Sequence, residues 1–123
     1  MNKKKIIQLI SWEIYPFDVL FVSGVTEKEI IDHISKKYEY KLDEVEALRL
    51  DFSTKKGKTV MLKNGTTILW VWNKDDIGVI AHEVFHVVDF LFEKIGITHS
   101  DDSDEAWAYA IEYLVKKIVK VVN

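Results

Sequence analysis

The chain opens with apolar stretches that are interrupted by its only proline. Ile6–Tyr15 is compatible with either a short helix or a strand. Phe17–Val22 is typical of a short buried strand, and it is followed by a serine and a glycine. Thr26 and Glu29 then have the spacing of a capping box, which predicts a helix that ends near Tyr38.

The middle of the chain has the alternation of apolar and polar residues that is typical of strands. This alternation over residues 46–52 indicates a half-exposed strand. Asn64-Gly65, a strong signal for a two-residue hairpin turn, separates Thr59–Lys63 from Thr66–Trp72. The second of these segments is apolar on both faces, so we expect both sides of that strand to be covered.

Two helices are predicted in the last third of the chain. Apolar periodicity over Ile77–Ile95 indicates the first helix, which is capped within Asn73–Asp76 and ends at Gly96. A polar connector follows, and Asp102 or Ser103 caps a second helix that runs to near the end of the chain. The predicted fold class is α+β: a small, mostly antiparallel sheet with an early helix, followed by a helical pair.

Length and composition fit a single domain over residues 1–123. The chain is 48% apolar and 30% charged and has no cysteine, which excludes disulfide scaffolds and thiolate zinc sites. Its net charge of −3 gives no bulk electrostatic reason to expect nucleic acid or an anionic membrane as a partner. No apolar run approaches the ~18 residues of a membrane span, and the amino-terminal residues lack a complete secretory signal. We therefore expect a soluble cytoplasmic protein.

One motif in the first of these two helices indicates metal chemistry. His82-Glu83-Val84-Phe85-His86 has the pattern H-E-x-x-H, in which two histidines four residues apart lie on one helical face. Both imidazoles could bind one Zn²⁺, and Glu83 could take a proton from a zinc-bound water. On a helical wheel, both histidines and Asp89 lie opposite the apolar stripe, so we expect them to face a cleft or solvent. In the alternative interpretation, both histidines are buried in the core.

A zinc site of this kind needs a third protein ligand and an open position for water. Asp89 lies too close along the same helix and is better suited to orient an imidazole through its other nitrogen. His99 is a reserve ligand. The candidates that follow the motif are Asp89, His99, Asp101, Asp102, Asp104, Glu105 and Glu112.

The motif and the segment Asp104-Glu105-Ala106-x-Ala108-Tyr109 together resemble the zincin metallopeptidases. The resemblance is to the gluzincins, whose third ligand is a glutamate on the following helix, and above all to small phage-encoded metallopeptidase-like proteins. It covers about residues 45–115 and implies a minimal zincin-like fold, with the sheet before the motif helix. It also implies a zinc metallopeptidase in which His82, His86 and Glu105 bind Zn²⁺ and Glu83 is the base.

Two features depart from the zincin patterns. Asp89 and Phe92 stand where the metzincins have a glycine and a third ligand, and Tyr109 replaces an aspartate that often supports a motif histidine. Tyr109 could donate a hydrogen bond to a metal ligand, polarise a substrate carbonyl or simply pack as an aromatic. Glu105 could instead be a solvated acid in the first turn of its helix.

The leading hypothesis is hydrolysis of an amide bond in an unidentified peptide or protein. Zinc-bound water is activated by Glu83, with Tyr109 as a second catalytic residue. The substrate could add as a strand along a sheet edge, near Trp70 or Trp72. The alternatives are a zinc-binding protein-interaction module without turnover and an α+β domain in which the motif is accidental. The sequence makes no prediction of the oligomeric state.

Overall fold

The computed structural model describes residues 4–13, 15, 17–38, 56–63 and 65–123. They form a four-stranded sheet with one helix against one face and two helices against the other. The α+β fold class is confirmed, whereas the strand predicted over residues 46–52 lies outside the described residues. The strands are β1 (Ile6–Ser11), β2 (Asp18–Ser23), β3 (Gly57–Met61) and β4 (Thr67–Val71), and the helices are α1 (Glu27–Lys37), α2 (Ile77–Ile95) and α3 (Asp104–Val122).

The sheet is mixed, and its strands follow the order β1-β2-β4-β3. β1 pairs with β2 and β3 pairs with β4 in antiparallel fashion, whereas β2 and β4 are parallel. The parallel pair arises because the chain leaves β2 through α1 and returns at the far side of the sheet as β3. A hairpin cannot join parallel strands, so a longer crossover is required.

The two central strands are buried on both faces because successive side chains enter different cores. β4 is buried at all five positions, which confirms the prediction that both of its sides are covered. Trp70 lies in the core on the α1 side and therefore cannot line a groove beside α2, whereas Trp72 is exposed. The residues of β2 and β4 that face α2 and α3 are Val19, Phe21, Leu69 and Val71, and those that face α1 are Leu20, Val22, Ile68 and Trp70.

The β3–β4 hairpin has a longer turn than the sequence predicts. The backbone N–H of Leu62 donates to the carbonyl of Thr66 at 2.7 Å, so these residues continue the paired strands. Three residues, 63–65, therefore separate the paired positions, and the prediction of a two-residue turn is wrong. Gly65 has a φ of +91°, which glycine adopts without the strain that a side chain would introduce.

The ends of α1 and α2 agree with the predicted caps. Thr26 and Glu29 form both hydrogen bonds of the capping box at the start of α1. Asp76 accepts a hydrogen bond from the backbone N–H of Val79 at 3.2 Å and caps α2. Gly96 ends α2 in the left-handed conformation with a φ of +81°. These bonds satisfy main-chain groups that a helix leaves unpaired at its ends.

Aromatic packing fixes α3 against α2. The buried ring of Trp107 lies 5.1 Å from Phe92 and 5.7 Å from Phe85, measured between ring centroids. The first segment, whose pattern fits either a helix or a strand, begins with the strand β1. α3 packs against this strand as well as against α2. Within the described ranges, no helix combines the length and apolar character needed to cross a membrane.

Candidate functional site

The first half of α2 lies directly against β3, and a glycine in the strand makes this close approach possible. A Cβ placed on Gly57 would lie 2.9 Å from both the Cγ of Glu83 and the Cγ1 of Val79. Real side-chain contacts do not reach such distances, so any larger residue would push the helix away from the strand. Because side chains alternate along a strand, Thr59 faces α2 as well.

Glu83 is buried in this contact, with only 6% of its surface exposed. The hydroxyl of Thr59 donates to Glu83 Oε1 at 2.8 Å and lies 3.3 Å from the Glu83 carbonyl oxygen. Burial of a carboxylate is costly unless its oxygen atoms accept hydrogen bonds. The Thr59 hydroxyl therefore stabilises Glu83 and orients its carboxylate between the helix and the strand.

The two histidines of the motif lie at the surface beside Glu83. The side chain of His82 is 69% exposed, and its Nε2 lies 3.9 Å from Glu83 Oε2. His86 is half-buried, and its ring centroid lies 5.0 Å from that of His82. These positions agree with the expectation that both histidines avoid the core and face solvent.

A cavity of about 490 Å³ adjoins Glu83 between the start of β3 and the start of α2. Its walls carry charges of both signs, from Lys56 and from the carboxylates of Asp76 and Glu83. Asp76 is already engaged as the cap of α2. The lining residues are Lys56, Gly57, Asp76, Gly78, Val79, His82 and Glu83.

The predicted zinc site is wrong. Within the described part of the chain, which includes His82, His86 and Glu105, no group of three or more His, Asp or Glu side chains could hold a metal ion. Glu105 is exposed in the first turn of α3. Because Trp107 faces α2, a residue two positions earlier points to roughly the opposite side of the helix. The same finding overturns the predictions that the chain binds zinc and that it is a metallopeptidase.

The other predicted site residues do not meet at Glu83. The imidazole of His99, the reserve ligand, lies 3.1 Å from the carboxylate of Asp104 and packs on Trp107. Tyr109 is 65% exposed and lines a different cavity from the one beside Glu83. The remaining acidic candidates that are exposed are Asp101, Asp102, Asp104 and Glu112.

Sequence reasoning missed the two residues of β3 that position Glu83. The hairpin prediction began the strand at Thr59, whereas the structure begins it at Gly57. The sequence signal that could have identified them is a glycine and a threonine two positions apart. In a strand, such residues lie on the same face, where the glycine leaves space and the threonine provides a hydroxyl. Only the packing of α2 shows that this face meets Glu83.

Comparison of the chain with family models, with curated proteins and with solved structures found no match. The resemblance to the zincins therefore depends on the motif residues alone.

Proposed function

We propose that this chain is a peptide-binding domain that takes up an extended peptide as an additional strand along β3, beside His82 and Glu83. The observation that carries the proposal is the position of β3 at the end of the sheet. Among the described residues, no strand pairs with its outer side. The main-chain N–H and C=O groups on that side can pair with an extended peptide.

The register of the hairpin identifies the main-chain groups that face outward. At one end, the N–H of Trp72 donates to the carbonyl of Lys56 at 2.8 Å. At the other end, the N–H of Leu62 donates to the carbonyl of Thr66 at 2.7 Å. Hydrogen-bonded and non-hydrogen-bonded pairs alternate in an antiparallel ladder. Between Lys56 and Leu62, the even-numbered residues are therefore the ones whose main-chain groups bond to β4. The residues whose main-chain groups point to the outer edge are Gly57, Thr59 and Met61.

A peptide on this edge would pass beside the cavity next to Glu83. Gly57 contributes directly to the cavity wall, and its side of the strand faces α2. The volume of about 490 Å³ lies within the range of ligand sites and admits a peptide side chain. Main-chain pairing would provide affinity, whereas the cavity would select alternate side chains, with Lys56 and Glu83 favouring polar ones.

Hydrolysis of the bound peptide is a second candidate function, favoured by the position of the Glu83 carboxylate. One oxygen accepts a hydrogen bond from Thr59, and the other lies 3.9 Å from Nε2 of His82. A carboxylate fixed in this way can take a proton from a water that attacks a carbonyl carbon. In its protonated form, the exposed ring of His82 can give a proton to the leaving amine and become a neutral imidazole. Neither step passes through a metal ion.

Alternate N-methylation of a bound peptide tests strand addition. The probe is a peptide of about eight residues, selected for binding from a random-sequence library. Methylation at odd positions removes the N–H groups of one peptide edge, and methylation at even positions removes those of the other. By fluorescence polarisation, we expect one form to lose affinity about tenfold or more and the other to stay within about threefold. Equal losses, or a library without binders, would contradict strand addition.

Substitution of Glu83 separates binding from hydrolysis. If the bound peptide is cleaved, Glu83→Gln keeps the peptide affinity within about threefold and abolishes the cleavage detected by mass spectrometry. Thr59→Ser, which retains the hydroxyl donor, is the matched control and preserves cleavage. A peptide that stays intact on the wild-type chain removes the second candidate and leaves strand addition in place.

A further inference from the structure

A second cavity, of about 430 Å³, lies between α3 and the segment that follows β1. It shares no lining residue with the cavity beside Glu83. Four of its lining residues are aromatic and three are charged. The lining residues are Trp12, Glu13, Tyr15, Ala106, Tyr109, Ala110, Glu112, Tyr113 and Lys116.

The cavity exists because small and large residues alternate on one face of α3. Ala106 and Ala110 are four residues apart, and Tyr109 and Tyr113 have the same spacing, so all four project toward the same side. The alanines leave space at the level of the helix surface. The tyrosines extend beyond them and form walls around that space.

The aromatic walls hold one another in place. The ring of Trp12 stacks on Tyr113 with centroids 5.5 Å apart and an interplanar angle of 18°. Tyr15 meets the same indole edge-to-face at 5.5 Å. The Tyr113 hydroxyl is buried and has no hydrogen-bond partner among the described residues. Trp12 is only 5% exposed, so the aromatic surface that stays open in the cavity belongs mainly to the tyrosines, above all to Tyr109, which is 65% exposed. Open aromatic surface favours a planar ring as a ligand, because stacking adds to the gain from apolar burial.

The residues that line the cavity carry one more negative than positive charge, and a second ammonium group, that of Lys117, lies beside the lining. Glu13 and Glu112 each contribute a negative charge, and Lys116 contributes one positive charge that lies 3.1 Å from Glu112. The side chain of Glu13 is 77% exposed, and the ammonium group of Lys117 lies 3.9 Å from it. Exposed pairs of this kind are weak, so a ligand cation can take the place of Lys117.

Lys117 also shows which chemistry this position attracts. Its ammonium nitrogen lies 5.4 Å from the centroid of the Tyr113 ring, over the ring face, as well as near Glu13. A carboxylate and an aromatic face thus act together on one ammonium group. A ligand that joins an ammonium to a planar ring would use this position and the cavity simultaneously.

We propose that this cavity binds a planar aromatic group that carries a protonated primary amine, with the ring against Tyr109 and Tyr113 and the ammonium beside Glu13. Two sources share this chemistry: a free aromatic amine and the amino-terminal aromatic residue of a peptide. The site is separate from β3 and does not depend on peptide binding there.

Phenethylamine is the probe, and its binding is followed by NMR through the indole N–H signal of Trp12. We expect a Kd of about 1 mM or lower, a modest value for a ligand of this size. Phenethyl alcohol and 3-phenylpropionate keep the ring but lack the cation, and we expect them to bind at least about threefold more weakly. Equal affinity for either analogue, or no shift at about 10 mM phenethylamine, overturns the proposal.

Two alanine positions on α3 provide a matched pair of variants. Ala106 lines the cavity, whereas Ala108 is also exposed on the same helix and does not line it. We expect Ala106→Trp to fill the cavity and weaken phenethylamine about tenfold or more, and Ala108→Trp to change it less than about twofold. Equal effects of the two substitutions overturn the proposal.

Glu13→Gln tests the charge without altering the shape of the cavity. Because the side chain is exposed, the substitution leaves the fold intact. We expect it to weaken phenethylamine about threefold and to leave phenethyl alcohol unchanged. No loss for phenethylamine overturns the role of Glu13 as the partner of the ammonium.

A short peptide distinguishes the two sources of the ligand. If the tripeptide of phenylalanine and two glycines binds at least as tightly as phenethylamine, and amino-terminal acetylation removes this binding, the site recognises peptide amino termini. If phenethylamine alone binds, the site recognises free aromatic amines. Both results support the proposed chemistry, whereas unchanged binding of the acetylated peptide overturns it.

Discussion

At the scale of single residues, the carboxylate of Glu83 remains below the surface because β3 provides both space and a donor. Gly57 leaves the space, and the Thr59 hydroxyl donates at 2.8 Å. A carboxylate without such a donor would be costly to bury. These two residues therefore determine how closely α2 approaches the sheet and where its only buried charged side chain points.

Gly57→Ala is expected to destabilise the protein. The added methyl would lie 2.9 Å from atoms of both Val79 and Glu83, so the strand and the helix must separate. We expect the free energy of unfolding to fall by about 1–3 kcal/mol, measured by urea denaturation. Gly78→Ala is the control, because a Cβ there would meet its nearest atom at 3.5 Å on an exposed helical turn.

The control should change stability in the opposite direction. Alanine has a higher helix propensity than glycine, so Gly78→Ala should raise the free energy of unfolding by up to about 1 kcal/mol. If both variants were destabilised by a similar amount, the close contact between Gly57 and α2 would not be the reason why a larger residue at position 57 destabilises the protein.

At the scale of elements, α1 carries a histidine, His33, whose charged form the fold disfavours. Burial lowers the pKa of His33 below its usual 6.5, and the positive charge of Lys37 acts in the same direction. Its Nε2 is buried and has no hydrogen-bond partner among the described residues. The imidazolium form is therefore less favourable in the folded chain than in the unfolded chain.

This lowered pKa predicts that acid weakens the fold. Between the folded pKa of His33 and 6.5, the unfolded chain binds more protons, so the free energy of unfolding decreases as pH falls through this range. The contribution is fully present above the unfolded pKa. We expect His33→Gln to have a shallower loss of stability than the wild type between about pH 7.5 and 5.5 in urea denaturation. Identical slopes would show that His33 is not the group responsible.

At the scale of the whole molecule, the sheet separates two hydrophobic cores, and the packing of the helices decides which polar residues meet. Trp107 fixes the rotation of α3 by packing against Phe85 and Phe92 of α2. This rotation leaves Glu105 exposed, whereas it places Tyr109 over the cavity lined by Trp12. The residues of the zincin-like pattern are therefore divided between different surfaces.

Metal removal should leave the stability of the protein unchanged. No group of three or more His, Asp or Glu side chains in the described residues could hold a metal ion, so we expect the folded state to gain no free energy from metal binding there. We expect the Tm in calorimetry to shift by less than about 1 °C with EDTA, and the purified chain to contain no stoichiometric zinc. One zinc per chain, or a fall in Tm of more than about 4 °C with EDTA, would show that the folded chain binds a metal ion.

The sequence alone determined where most elements begin and end. The Thr26–Glu29 capping box and Gly96 mark helix ends as predicted. These features depend on interactions within one or two turns, so residues adjacent in the chain are sufficient to specify them. The same applies to the exposure of His82, because helical periodicity places it opposite the apolar stripe.

Only the tertiary structure decided which distant residues meet. The parallel pairing of β2 with β4, the burial of Glu83 against β3 and the direction of Glu105 all depend on how the elements pack. A helical pattern shows which face of α3 is apolar, but it does not give the distance from Glu105 to residues on another helix. That distance is set by the fit of large side chains such as Trp107 into the neighbouring helix, and close packing allows few alternatives.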